Sequence, residues 1–114
     1  MINVTFHMNE KLKTVTLRVK GHSGMVTKGN DIICASASIL AYTLAQNIKT
    51  AGEQDKLMMS PTIRLNSGNA KVKCYVKPEY YDEIVHAYLV IQTGFRLLNA
   101  NYPDFVSLIT FGKA

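Results

Sequence analysis

The sequence predicts an α+β fold, ordered β-β-α-β-β-α-β, with a mostly antiparallel sheet and two helices packed on it. Three observations lead there. Apolar and polar residues alternate with period two near the N-terminus; two longer stretches switch to helical spacing; short alternating runs lie between and after them.

Ile2, Val4, Phe6 and Met8 alternate with Asn3, Thr5 and His7, which makes a one-sided first strand and argues against a signal peptide. Asn9-Glu10-Lys11 supplies a turn, and Val15, Leu17 and Val19 then alternate with Thr14, Thr16, Arg18 and Lys20 in a second, hairpin-paired strand. From Asp31 to about Lys49 the spacing becomes helical. Ile32, Ile33, Ile39, Leu40, Leu44 and Ile48 surround the helix almost completely, which predicts burial on more than one side. Met59, Ile63 and Leu65 indicate a third strand, Asn66-Ser67-Gly68-Asn69 a tight turn, and Val72, Cys74 and Val76 the inner face of a fourth. Pro78 opens a second helix with Glu79, Asp82 and Glu83 near its positive end. Its apolar seam runs through Tyr81, Ile84, Val85, Tyr88, Ile91, Phe95 and Leu98. Pro103 breaks the chain, and residues 105–111 form a last strand apolar on both faces.

The 114 residues suit one domain, 1–114, with a single core. So small a chain with 47% apolar residues is expected to bury part of its surface in a homodimer. Thirteen Lys and Arg against eight Asp and Glu leave a charge of +5, which suits acidic partners. The cations are dispersed, with no run of five or six, so specific nucleic-acid binding is not the favoured reading. No stretch reaches the ~18 apolar residues that a membrane span requires. Two cysteines without metal-ligand or redox spacing indicate a reducing, cytoplasmic compartment, and no His, Cys, Asp or Glu spacing indicates zinc or another cofactor.

The chemistry concentrates in residues 21–38, GHSGMVTKGNDIICASAS. With Asp31 as N-cap, Cys34 falls at the third helical position. There the positive end of the helix favours a nucleophilic thiolate, and free backbone N–H groups are available to an oxyanion. His22, twelve positions earlier, is an imidazole able to take the thiol proton or protonate a leaving amine. Asp31 either caps the helix or orients His22. Ser38, one turn after Cys34, either donates into the site or bonds back to its own helix. Gly24 to Gly29 match half of a phosphate-binding loop, but Asn30-Asp31 stands where Lys-Ser/Thr is required, and the aspartate repels phosphate. Cys74 belongs to an apolar strand face, and His7 and His86 to solvated ones.

Gly21-His22, a glycine-containing loop and Gly29-Asn30-Asp31-Ile32-Ile33-Cys34-Ala35-Ser36-Ala37-Ser38 together resemble the ribosomal-processing cysteine protease family, Prp. Length, element order and the Asn101-Tyr102-Pro103 segment extend the resemblance over the whole chain. The resemblance implies a cytoplasmic, homodimeric cysteine endopeptidase that removes the N-terminal extension of a bacterial large-subunit ribosomal protein of the L27 type. Its partner would be that N-terminal peptide, with no cofactor, no membrane and no direct nucleic-acid contact required. Carried over, Cys34 is the nucleophile, His22 the general base, Asp31 and Ser38 supporting residues, and Gly21 and Gly29 hinges of a loop that orders over substrate. Two other readings fit the sequence. A non-catalytic RNA- or ribosome-associated protein would use the basic surface alone, and a thiol redox sensor would use Cys34 without His22.

Overall fold

The computed structural model describes residues 1–22 and 28–112, with the side chains of 28–31 also outside the description. Its elements are β1 (Ile2–Asn9), β2 (Thr14–Lys20), α1 (Lys28–Glu53), β3 (Thr62–Asn66), β4 (Asn69–Tyr75), a 3₁₀ turn (Pro78–Tyr80), α2 (Tyr81–Asn101) and β5 (Val106–Phe111). This is the expected β-β-α-β-β-α-β order.

The strands form one sheet in the order β3-β4-β2-β1-β5. All neighbours are antiparallel except β1 and β5, which run parallel with Ile2 opposite Val106 and His7 opposite Phe111. In the β1–β2 connection the Asn9 side chain accepts from the Leu12 backbone N–H at 3.0 Å, the turn chemistry expected of asparagine.

Both helices cover the same sheet face, α1 over β4, β2 and β3, and α2 over β5, β1 and β2. Inward strand residues such as Val4, Phe6, Leu17, Val72 and Val106 are fully buried against Ile33, Leu44 and Ile48 of α1 and the whole predicted seam of α2. Phe6 meets Phe95 edge-on at 6.0 Å, an aromatic arrangement favoured by ring quadrupoles. Tyr88 is buried among these groups and donates to the Val72 carbonyl at 3.0 Å, which satisfies its hydroxyl inside the core. Gly94 costs about 1 kcal/mol in mid-helix relative to alanine. Its missing side chain is used: a Cβ there would lie 2.5 Å from Leu40 Cδ2, so α1 and α2 approach closely at this point.

Three expectations change. The third strand starts at Thr62 and leaves Met59 exposed ahead of it. Helix α1 begins at Lys28 rather than Asp31, because nothing in Lys28-Gly29-Asn30 forbids helical dihedrals as proline would. It is also not buried on several sides within one chain. Ile39 is 62% exposed and Leu97 of α2 61%, because a two-layer fold places nothing over the outer side of its helices.

Candidate active site

At one end of the sheet β1 begins, β2 ends and β3 turns into β4. The β2–β4 register sets Lys20 opposite Asn69, so the chain leaving β2 passes directly beside the 66–69 turn. Gly21 follows. Its N–H donates to the Gly68 carbonyl at 2.9 Å and its φ is +96°, a left-handed conformation that glycine adopts without penalty. A Cβ at Gly21 would collide with the Met1 carbonyl oxygen, so the position tolerates no side chain.

His22 comes next and lies over Gly68, itself at φ +71°. A Cβ on Gly68 would sit 2.5 Å from His22 Nε2 and 2.9 Å from Cε1. The imidazole therefore rests on the one surface of the turn that lacks a side chain. From the opposite side α1 contributes Cys34, Ala37, Ser38, Ala41 and Tyr42, at spacings of three and four that define one helix face. The two sides enclose a cleft of ≈190 Å³, lined by His22, Cys34 and Ser38 together with Gly21 and the 66–69 turn.

The structure thus brings three of the sequence-derived site residues, His22, Cys34 and Ser38, to one cleft, with Gly21 at its base. Gly29 falls in the first turn of α1, with helical backbone. The Asp31 side chain, with its two possible roles, and the loop segment 23–27 lie outside the described residues. Because α1 starts at Lys28, Cys34 stands in its second turn, one turn further from the free N–H groups than the sequence suggests. The helix field is concentrated in the first turn and so is weaker at this position, and the imidazole that shares the cleft with the thiol is His22.

Sequence reasoning missed the 66–69 turn as a wall of the cleft and Tyr42 as a lining residue. The turn itself is legible in its residue types. Only its position beside His22 required the pairing of β4 with β2.

The two thiols differ in environment. Cys34 is half-buried on the cleft. Cys74 is buried under α2, 3.7 Å from the Tyr88 hydroxyl, and burial pushes its pKa up to about 11. In the native protein at pH 8, iodoacetamide is therefore expected to label Cys34 and spare Cys74, read by peptide mass. Equal labelling of both would contradict this separation.

A half-buried thiol and an imidazole on one cleft belong to the chemistry of nucleophilic cysteine enzymes. The family model described as cysteine protease Prp matches residues 1–107. The chain belongs to that family and is a cysteine protease. Among solved structures it resembles SMU.848 from Streptococcus mutans, with a TM-score of 0.71 at 21% identity, covering 99% of this chain and 96% of that one. The ribosomal processing protease Prp from S. aureus, in complex with a covalently linked product peptide, gives a TM-score of 0.71 at 20% identity, over 96% of this chain and 99% of that one. The S. aureus protease with a substrate peptide gives 0.66 at 18%, with coverages of 96% and 99%. At these identities the structural likeness establishes the shared fold. A comparison with curated proteins finds no match.

Proposed function

We propose that this protein is a single-domain endopeptidase, spanning residues 1–114, that removes the N-terminal extension of a bacterial large-subunit ribosomal protein of the L27 type. The observation that carries the reading is the placement of Cys34 and His22, from separate elements, on one cleft. The S. aureus relative processes a ribosomal substrate and binds peptide, which supports the substrate class.

In the proposed reaction Cys34 Sγ, with its proton passed to His22, attacks the scissile carbonyl carbon. As the tetrahedral adduct collapses, the C–N bond breaks and the imidazolium delivers its proton to the departing amine, leaving a thioester. Water then attacks the thioester, His22 accepts its proton, and the C–S bond breaks to release the carboxylate and regenerate the thiol. No cofactor is required. Ser38 and Asp31 support the pair. The reaction takes place in the cytoplasm, where ribosomal proteins are made and a nucleophilic cysteine remains reduced.

The test is the mass of the ribosomal precursor after incubation with the purified protein. Loss of the N-terminal extension is expected, and a precursor that stays intact at equimolar enzyme overturns the assignment.

The reading includes a homodimer. Ile39 and Leu97 flank a shallow groove between α1 and α2 on the outer side of the helical layer, where a second copy would supply the cover that one chain lacks. Light scattering is expected to give twice the 12.7 kDa chain mass, and Leu97→Lys the single-chain mass. A wild-type monomer at 50 μM would exclude this element.

A further inference from the structure

The face of the sheet opposite the helices is built differently from the rest of the protein. None of the five strands contains an aspartate or glutamate. All eight acidic residues lie in helices and connections. The strand cations, by contrast, are brought together by register. Arg18 on β2 stands opposite Lys71 on β4, and Lys71 stands opposite Arg64 on β3. Three cations thus form one row across three adjacent strands, each step about 4.8 Å.

Like charges directly opposite one another destabilise a sheet, and at this spacing they lie well inside a Debye length. Desolvation, followed by the charges of Arg18, Lys73 and Arg64, pulls the Lys71 ammonium pKa down, while Tyr75 acts in the opposite direction. Lys73 stands one register step away, over the Tyr75 ring at 5.1 Å. Among the described residues the ion pairs are Lys56–Glu83 and Lys77–Asp55, neither of which touches this row.

The same rows continue toward β5 with a different chemistry. The Arg18 row runs on through Thr5 to Ile109, and the Lys73 row through Thr16 and His7 to Phe111. Phe111 is 53% exposed and meets the His7 ring edge-on at 5.9 Å. Between the aromatic pair and the cations lies a depression of ≈440 Å³. The face is therefore graded, cationic toward β3 and aromatic toward β5.

We propose that this outer sheet face binds single-stranded RNA, with phosphates along Arg18, Lys71 and Arg64 and a base stacked on Phe111 beside His7. Phosphate neutralisation removes the repulsion within the row, and aromatic side chains accept any base face. This goes beyond the peptidase reading and does not depend on it, because the face lies outside the His22–Cys34 cleft.

The test uses a fluorescein-labelled twelve-nucleotide oligouridylate and fluorescence anisotropy from 50 to 200 mM salt. Arg18→Gln/Arg64→Gln/Lys71→Gln is expected to weaken binding at least tenfold, and to lower the slope of log K against log salt by about 2, near 0.7 per lost phosphate contact. A second triple variant, Lys11→Gln/Lys49→Gln/Lys56→Gln, removes the same charge away from the face and is expected to stay within twofold of wild type. Melting of the first variant at or above the wild-type midpoint, with unchanged peptide cleavage, shows that the fold is intact. The proposal is overturned if wild type does not bind the oligonucleotide at 50 mM salt, or if both triple variants weaken binding equally. It is equally overturned if vesicles of phosphatidylserine and phosphatidylcholine bind the face while RNA does not.

Discussion

Replacing Cys34 by alanine is expected to lower cleavage of a peptide spanning the extension junction by about 10⁴-fold or more, the scale seen when a nucleophile is removed from a covalent mechanism. The methyl group of alanine cannot form the thioester, and no second thiol is placed to substitute. Cys74 lies in the core with its pKa pushed up to about 11 by burial. Folding should be spared, because Cys34 is only half-buried at the edge of the cleft. Peptide affinity should survive as well, so the variant should still bind an uncleaved substrate. Cleavage by Cys34→Ala within tenfold of wild type would remove Cys34 from the reaction. Retained activity in His22→Ala together with a loss in Cys34→Ala would instead indicate a thiol that works without the imidazole.

The second large effect concerns the imidazole and what it rests on. His22→Ala is expected to lower kcat by about 10²–10⁴-fold, the usual contribution of a positioned acid–base group. Gly68→Ala should reproduce part of that loss without touching the imidazole's chemistry. The added methyl would sit 2.5 Å from Nε2, and the alanine would have to hold a φ of +71°. The ring must move or the turn must deform, and a shift of about 1 Å at a reacting group can cost 10²-fold. The discriminating readout is a lower kcat with little change in melting temperature, and no further loss when Gly68→Ala is added to His22→Ala. Additive losses in the double variant would show that Gly68 acts elsewhere.

The legibility of the site in the sequence divides along physical lines. Period-two and helical spacing mark β1, β2, β4 and α2 unambiguously, because one face of each meets the core and the other meets water. They also place Cys74 inside. Helix α1 was harder. Ile32 and Ile39 give it apolar residues all round, and spacing alone does not say whether a second layer or a second molecule covers them. Its start lies three residues before the plausible cap Asp31, because glycine and asparagine at 29 and 30 still permit helix. The cleft was half legible. His22 and Cys34 stood out by residue type, but the wall at 66–69 belongs to a different hairpin and meets His22 only through strand pairing. The cation row is the extreme case. Arg18, Arg64 and Lys71 form no run in the chain, so dispersed charge in one dimension becomes a patch in two.

The parallel pairing of β5 with β1 has a kinetic consequence. Asn3 accepts a hydrogen bond from Ser107 across 104 residues of chain, and β1 remains an unpaired edge on that side until β5 arrives. Closing so long a loop costs entropy before any ladder contact forms, which slows the last step of assembly. During synthesis the hairpin of β1 and β2 emerges before β4 and β5, with the outer edge of each strand open to any passing strand. The protein should therefore be most prone to mispairing while its own final strand is still being made, and a peptide matching residues 106–111, added in excess during refolding, should compete for that edge.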